Sequence, residues 1–94
     1  MIIDVVEHSR GTLRNVEYVG VGRSFEGFTC LQVKTPGRVR QRHIEVGRIR
    51  RIVIGDRILV PSPTIHHEPR AQEIRAFLQA QLVRSEHLAS LSAR

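Results

Sequence analysis

The sequence predicts a mainly β fold: a small SH3/Sm-like barrel of about five strands followed by one C-terminal α-helix. Three observations carry this expectation. Apolar and β-branched residues recur in short segments through residues 1–60, and turn residues interrupt them at about ten-residue spacing. Beyond Pro61 and Pro63 the apolar period changes from that of strands to the three-and-four spacing of a helix. A chain of 94 residues has room for a single domain with one modest core. The expected layout is a barrel over residues 1–60, a linker over 61–68 and an amphipathic helix over 69–91.

The elements follow in order. Ile2–Glu7 is a compact β-branched segment, closed by the turn His8-Ser9-Arg10-Gly11-Thr12. Leu13–Val21 is the second strand, and Gly22–Gly27 connects it to a third over Phe28–Thr35. Thr35-Pro36-Gly37 is a strong turn signal, because Pro presets φ and Gly accepts positive φ. Val39–Val46 is a fourth strand; Ile49, Ile52 and Ile54 mark a fifth; Gly55-Asp56 turns the chain into Arg57–Val60. Pro61 and Pro63 then stop strand pairing. Pro69 suits the first helical position, where its missing N–H would be unpaired anyway. Ile74, Phe77, Leu78 and Leu82 share one helical face, which packs on the barrel or on a partner.

Charge is the unusual property. Fifteen basic residues, fourteen of them Arg, stand against nine acidic ones, a net +6. Residues 34–51 hold seven bases and one acid, so this one stretch carries the whole excess. Arg38, Arg40 and Arg42 alternate, and on a strand they would project from one face in a row. Guanidinium groups aligned in that way repel unless solvated or neutralised, and phosphate is the anion they match by paired hydrogen bonds. Arg40 and Arg42 share parity with the core-like Ile44 and Val46. Either a bulge intervenes near His43, or the strand leaves the core in its first half. A solvated face in an arginine-biased chain is the competing reading of the same residues.

Other classes find no support. No apolar run reaches the ~20 residues of a membrane span, and no signal peptide is expected after Met1-Ile2-Ile3-Asp4. Cys30 is the sole cysteine, which excludes an intramolecular disulfide and suits a reducing cytoplasm. Gly20-Val21-Gly22 lacks the last Gly of a dinucleotide fingerprint, with Phe25 in its place, and Phe28 stands where a P-loop needs Lys. His66, His67 and Glu68 have no partner cluster at ligand spacing, so no metal site is expected. Acidic residues are scattered without an acid/base pair, and neither catalysis nor a cofactor is expected.

The segment Arg42-His43-Ile44-Glu45-Val46-Gly47-Arg48-Ile49 resembles the signature near the end of the WYL domain, a small Sm/SH3-like barrel of bacterial transcription regulators. Val16-Glu17-Tyr18 is similar to the family's Val-Glu-Pro, with Tyr18 in place of Pro. The family's Trp-Tyr-Leu falls, by spacing, on Thr29-Cys30-Leu31, of which only Leu31 matches. The resemblance covers most of residues 2–54 and implies a ligand or oligonucleotide sensor surface, with Arg42 and Arg48 as basic residues.

The expected function is therefore a nucleic-acid-binding or ligand-sensing regulatory module. Lys34, Arg38, Arg40, Arg42, Arg48 and Arg50 are the candidate phosphate contacts, and Phe25 is the candidate for base stacking. The partners would be single-stranded or structured nucleic acid, or a small anionic ligand such as a nucleotide. The alternative is a protein-interaction or oligomerisation module that uses the helix stripe Ile74, Phe77, Leu78 and Leu82.

Overall fold

The computed structural model describes residues 1–8, 11–24, 26–62 and 67–92, with the side chains of these residues other than 67 and 86–92. Six antiparallel strands form one sheet: β1 (Ile2–Glu7), β2 (Gly11–Arg23), β3 (Thr29–Lys34), β4 (Gln41–Glu45), β5 (Ile49–Ile54) and β6 (Arg57–Leu59). Among the described residues a single 3₁₀ turn, Val46–Arg48, joins β4 to β5, and one helix, α1 (His67–Ser92), follows the sheet. The mainly β class and the C-terminal helix are as the sequence predicts. The sheet, however, is open rather than closed. Its order is β4-β3-β2-β1-β5-β6, so β4 and β6 are edges.

The connection from β4 to β5 nevertheless rolls this sheet. In a flat sheet these strands would lie four spacings apart, about 19 Å. The chain from Glu45 to Ile49 spans at most about 14 Å even when fully extended. The sheet must therefore curl until the end of β4 approaches the start of β5. The curvature is built from β2, whose first half pairs with β1 and whose second half pairs with β3. Two extra residues bend it. The first bulge lies opposite Ile3 and Val5, where Asn15 adopts a positive φ of 54°. The Asp4 carboxylate accepts a hydrogen bond from the Asn15 N–H at 2.8 Å. The second bulge is Val19, between the pairs Tyr18–Val33 and Gly20–Gln32. Bulges increase bend and local twist, which a rolled sheet needs.

The core fills the inside of the roll. Ile3, Val5, Val16, Leu31, Val33, Ile44, Val46, Ile49 and Ile52 are buried together with Ala71, Ile74 and Leu78 of α1. Each fully buried Leu or Ile contributes about 1.5–3 kcal/mol relative to an exposed one. The helix therefore docks within this chain, through residues at three-and-four spacing. Phe77 packs partly on the core, and Leu82 is half-buried. The helix starts at His67, two residues before the expected Pro69. Pro69 is thus its third residue, still within the first turn, where backbone N–H groups have no intrahelical acceptor and Pro removes no bond.

Candidate nucleic-acid interface

The basic surface is built on the hairpin between β3 and β4. Thr35-Pro36-Gly37-Arg38 is a tight turn in which the Arg38 N–H donates to the Thr35 carbonyl at 3.0 Å. Gly37 has φ +83°, the backbone geometry that Pro-Gly in a type II turn supplies and that a side chain would strain. Arg38, Val39 and Arg40 follow in irregular, exposed backbone, and β4 begins only at Gln41. The expected row of three arginines along one strand is therefore corrected. Arg38 and Arg40 belong to the loop, and Arg42 alone is on the strand. The β3–β4 ladder is regular, with Arg42 opposite Val33 and Ile44 opposite Leu31. No bulge separates Arg42 from Ile44, so the strand leaves the core in its first half, the second of the two expected solutions. Arg42 shares the inner face of the sheet but lies at its exposed edge.

The candidate contacts divide into two groups. Lys34, Arg38, Arg40 and Arg42 share this one hairpin, and no acidic residue occurs between Lys34 and Ile44. Lys34 pairs across the ladder with Glu17, at 3.8 Å. Arg38, Arg40 and Arg42 are exposed and form no ion pair with any described residue. Arg48 lies beyond the far end of β4, a strand that is itself about 13 Å long. Its guanidinium is 3.7 Å from the Glu45 carboxylate. Arg50 is the extra residue of a third bulge, on β5 between the pairs with Val6 and Glu7. The structure thus does not bring Arg48 and Arg50 into the hairpin group. Phe25, the expected stacking residue, lies outside the described residues.

Other sequence candidates have structural surroundings. Cys30 is 1% exposed, and its thiol contacts the Phe28 carbonyl at 3.3 Å. Burial pushes the Cys30 thiol up, away from the thiolate that nucleophilic attack requires. His43 is exposed on β4. His66 and the His67 side chain lie outside the description; among the described residues no group of His, Cys, Asp and Glu is arranged to hold a metal ion. Ile74 and Leu78 of the proposed interface stripe are fully buried in this chain's own core.

One functional-looking arginine escaped the sequence reading. Arg70 is only 5% exposed, and its guanidinium donates to three backbone carbonyls. Nε reaches Val46 at 3.1 Å, Nη1 reaches Ser62 at 2.6 Å, and Nη2 reaches Ile49. It ties the first turn of α1 to the 3₁₀ turn that rolls the sheet. The signal was in the helix period: Arg70 precedes Ile74 and Leu78 by four and eight residues, on the same stripe.

Comparison of the chain with protein-family models, with curated proteins and with solved structures finds no match.

Proposed function

We propose that this chain is a small-barrel module that binds nucleic acid through phosphate contacts at the β3–β4 hairpin. The observation that carries this reading is the acid-free stretch of the hairpin between Lys34 and Ile44, where Arg38, Arg40 and Arg42 are exposed with no carboxylate partner among the described residues. Isolated surface ion pairs are worth little, so Lys34 is readily released from Glu17 to join them. Arg48 and Arg50 are secondary contacts. The module acts by binding rather than by catalysis, in the cytoplasm, and the resemblance to WYL domains extends the proposal to a regulatory or ligand-sensing role. That resemblance also supports reading the rolled sheet as a barrel of the Sm/SH3-like kind. No described helix is long and apolar enough to cross a membrane.

Fluorescence anisotropy on single-stranded DNA and RNA across a salt series tests the proposal. Each neutralised phosphate contributes about −0.7 to the slope of log K against log salt. Three or four contacts predict a slope of about −2 to −3. The double change Arg40→Glu with Arg42→Glu, on exposed positions, should weaken binding by at least about tenfold and flatten the slope. Absence of binding at low salt, or a slope unaffected by the double change, rejects the hairpin as the contact surface.

A further inference from the structure

A groove of about 520 Å³ runs between the second half of β2 and α1. Tyr18 and Val21 form its sheet side, and Gln72, Arg75, Ala76 and Gln79 form its helix side. Its chemistry is specific. Tyr18 is the only tyrosine of a chain that has no tryptophan. Among the described residues its hydroxyl makes no hydrogen bond, although its ring is half-buried. Arg75 lies close enough for its charge to act on the phenol. Gln72 and Gln79 are exposed carboxamides, each able to donate and accept at once.

We infer that the groove holds an unpaired base of a single-stranded nucleic acid, stacked on Tyr18 and hydrogen-bonded by Gln72 or Gln79, with Arg75 on the adjoining phosphate. This inference rests on the proposed function and deepens it, because it names the strandedness of the ligand. An aromatic face is sequence-tolerant, since every base offers a π surface. A carboxamide matches a base edge through paired donor and acceptor groups. Only an unpaired base reaches such a groove, because a duplex keeps its faces stacked inside. The fold also relates the groove to the basic hairpin. Tyr18, Val33 and Arg42 are direct cross-strand neighbours in one row over β2, β3 and β4. Two strand spacings place the backbones of Tyr18 and Arg42 about 10 Å apart, within the span of a short oligonucleotide.

The lone tyrosine supplies its own probe. The whole chain is titrated with a single-stranded oligonucleotide of about ten nucleotides, with an abasic strand of the same length, and with a nucleoside monophosphate, while tyrosine emission is followed. The expected result is quenching by the intact strand alone, with the abasic strand bound about tenfold more weakly. Tyr18→Leu should lower affinity for the intact strand to that of the abasic one, and Tyr18→Phe should restore it. Equal binding of intact and abasic strands, without quenching, overturns the base site and leaves the phosphate reading standing. Failure of both strands to bind overturns both. Quenching by the monophosphate as strong as that by the oligonucleotide also overturns the inference, in favour of a free nucleotide.

Discussion

Arg70 and Glu73 show how two side chains of α1 fix the entrance of the helix. Arg70 uses one planar guanidinium to bridge carbonyls of the 3₁₀ turn, of β5 and of the segment after β6. Its removal leaves the buried Val46 and Ile49 carbonyls without these donors, and hydrogen bonds to a charged group are worth about 1.5–3 kcal/mol each. Arg70→Met should therefore cost about 3 kcal/mol in urea unfolding. Arg70→Lys should recover little, because an ammonium is a single point charge that cannot span diverging acceptors. A loss below about 1 kcal/mol in the Met variant would show that the guanidinium is not a clamp. One turn further along, the Glu73 carboxylate accepts from the Ser62 backbone N–H at 2.8 Å and from its hydroxyl. These hydrogen bonds, the hydroxyl's first, hold the Glu73 carboxyl below its usual range. The native state thus favours the ionised form. That stabilisation is fully present above the ordinary carboxyl pKa of about 4.3 and is lost as pH falls through the lowered native value. Glu73→Gln should be less stable than the parent at pH 7, and the gap should narrow below about pH 4. A gap that stays constant between pH 7 and pH 3 would assign the effect to something other than ionisation.

At the scale of elements, the strands were legible because their punctuation is chemical. The first strand, Ile2–Glu7, is found as expected, and the Pro36-Gly37 and Gly55-Asp56 turns separate the strands that the sequence placed around them. The helix stripe was legible from its period, and its inner residues Ile74 and Leu78 dock in this chain. Four features were not. β2 extends to Arg23 because it must serve two partners, and the pairing of distant segments leaves no local mark. The bulges at Val19 and Arg50 carry no mark in residue type, whereas Asn15 is of a type that tolerates the positive φ its bulge requires. The arginine row failed for a related reason. Alternation suggested a strand from Val39, yet β4 starts where Gln41 finds Lys34 across the ladder, which leaves Arg38 and Arg40 in the loop. The parity conflict was real in sequence, and regular pairing resolves it: Arg42 faces inward in direction but lies at the exposed edge. The groove at Tyr18 was invisible because it joins residues more than fifty positions apart.

For the molecule as a whole, a charge excess confined to residues 34–51, with Lys34, Arg38, Arg40 and Arg42 together on one hairpin, has two consequences of opposite sign. The +6 net charge is that of residues 34–51, and within it the exposed Arg38, Arg40 and Arg42 of the hairpin repel one another at short range. Exposed like charges are destabilising at low ionic strength and are screened over about 10 Å at 0.1 M salt. Arg40→Glu with Arg42→Glu should therefore raise the melting temperature of the free protein in low salt, and the gain should fade as salt is added. On the proposed function, an oligonucleotide bound to the parent would replace that repulsion with attraction. At tenfold excess over Kd it stabilises the fold by about 1.4 kcal/mol. For a domain of this size that amounts to about 6–11 °C in Tm. The doubly reversed variant should lose this ligand-dependent rise while keeping its higher starting point. The two shifts separate a functional surface from a merely solvated one. Codon-driven arginines would give the first shift without the second, because nothing would be lost from ligand binding when they are reversed. A parent whose Tm is unmoved by oligonucleotide at low salt places the hairpin in that second category.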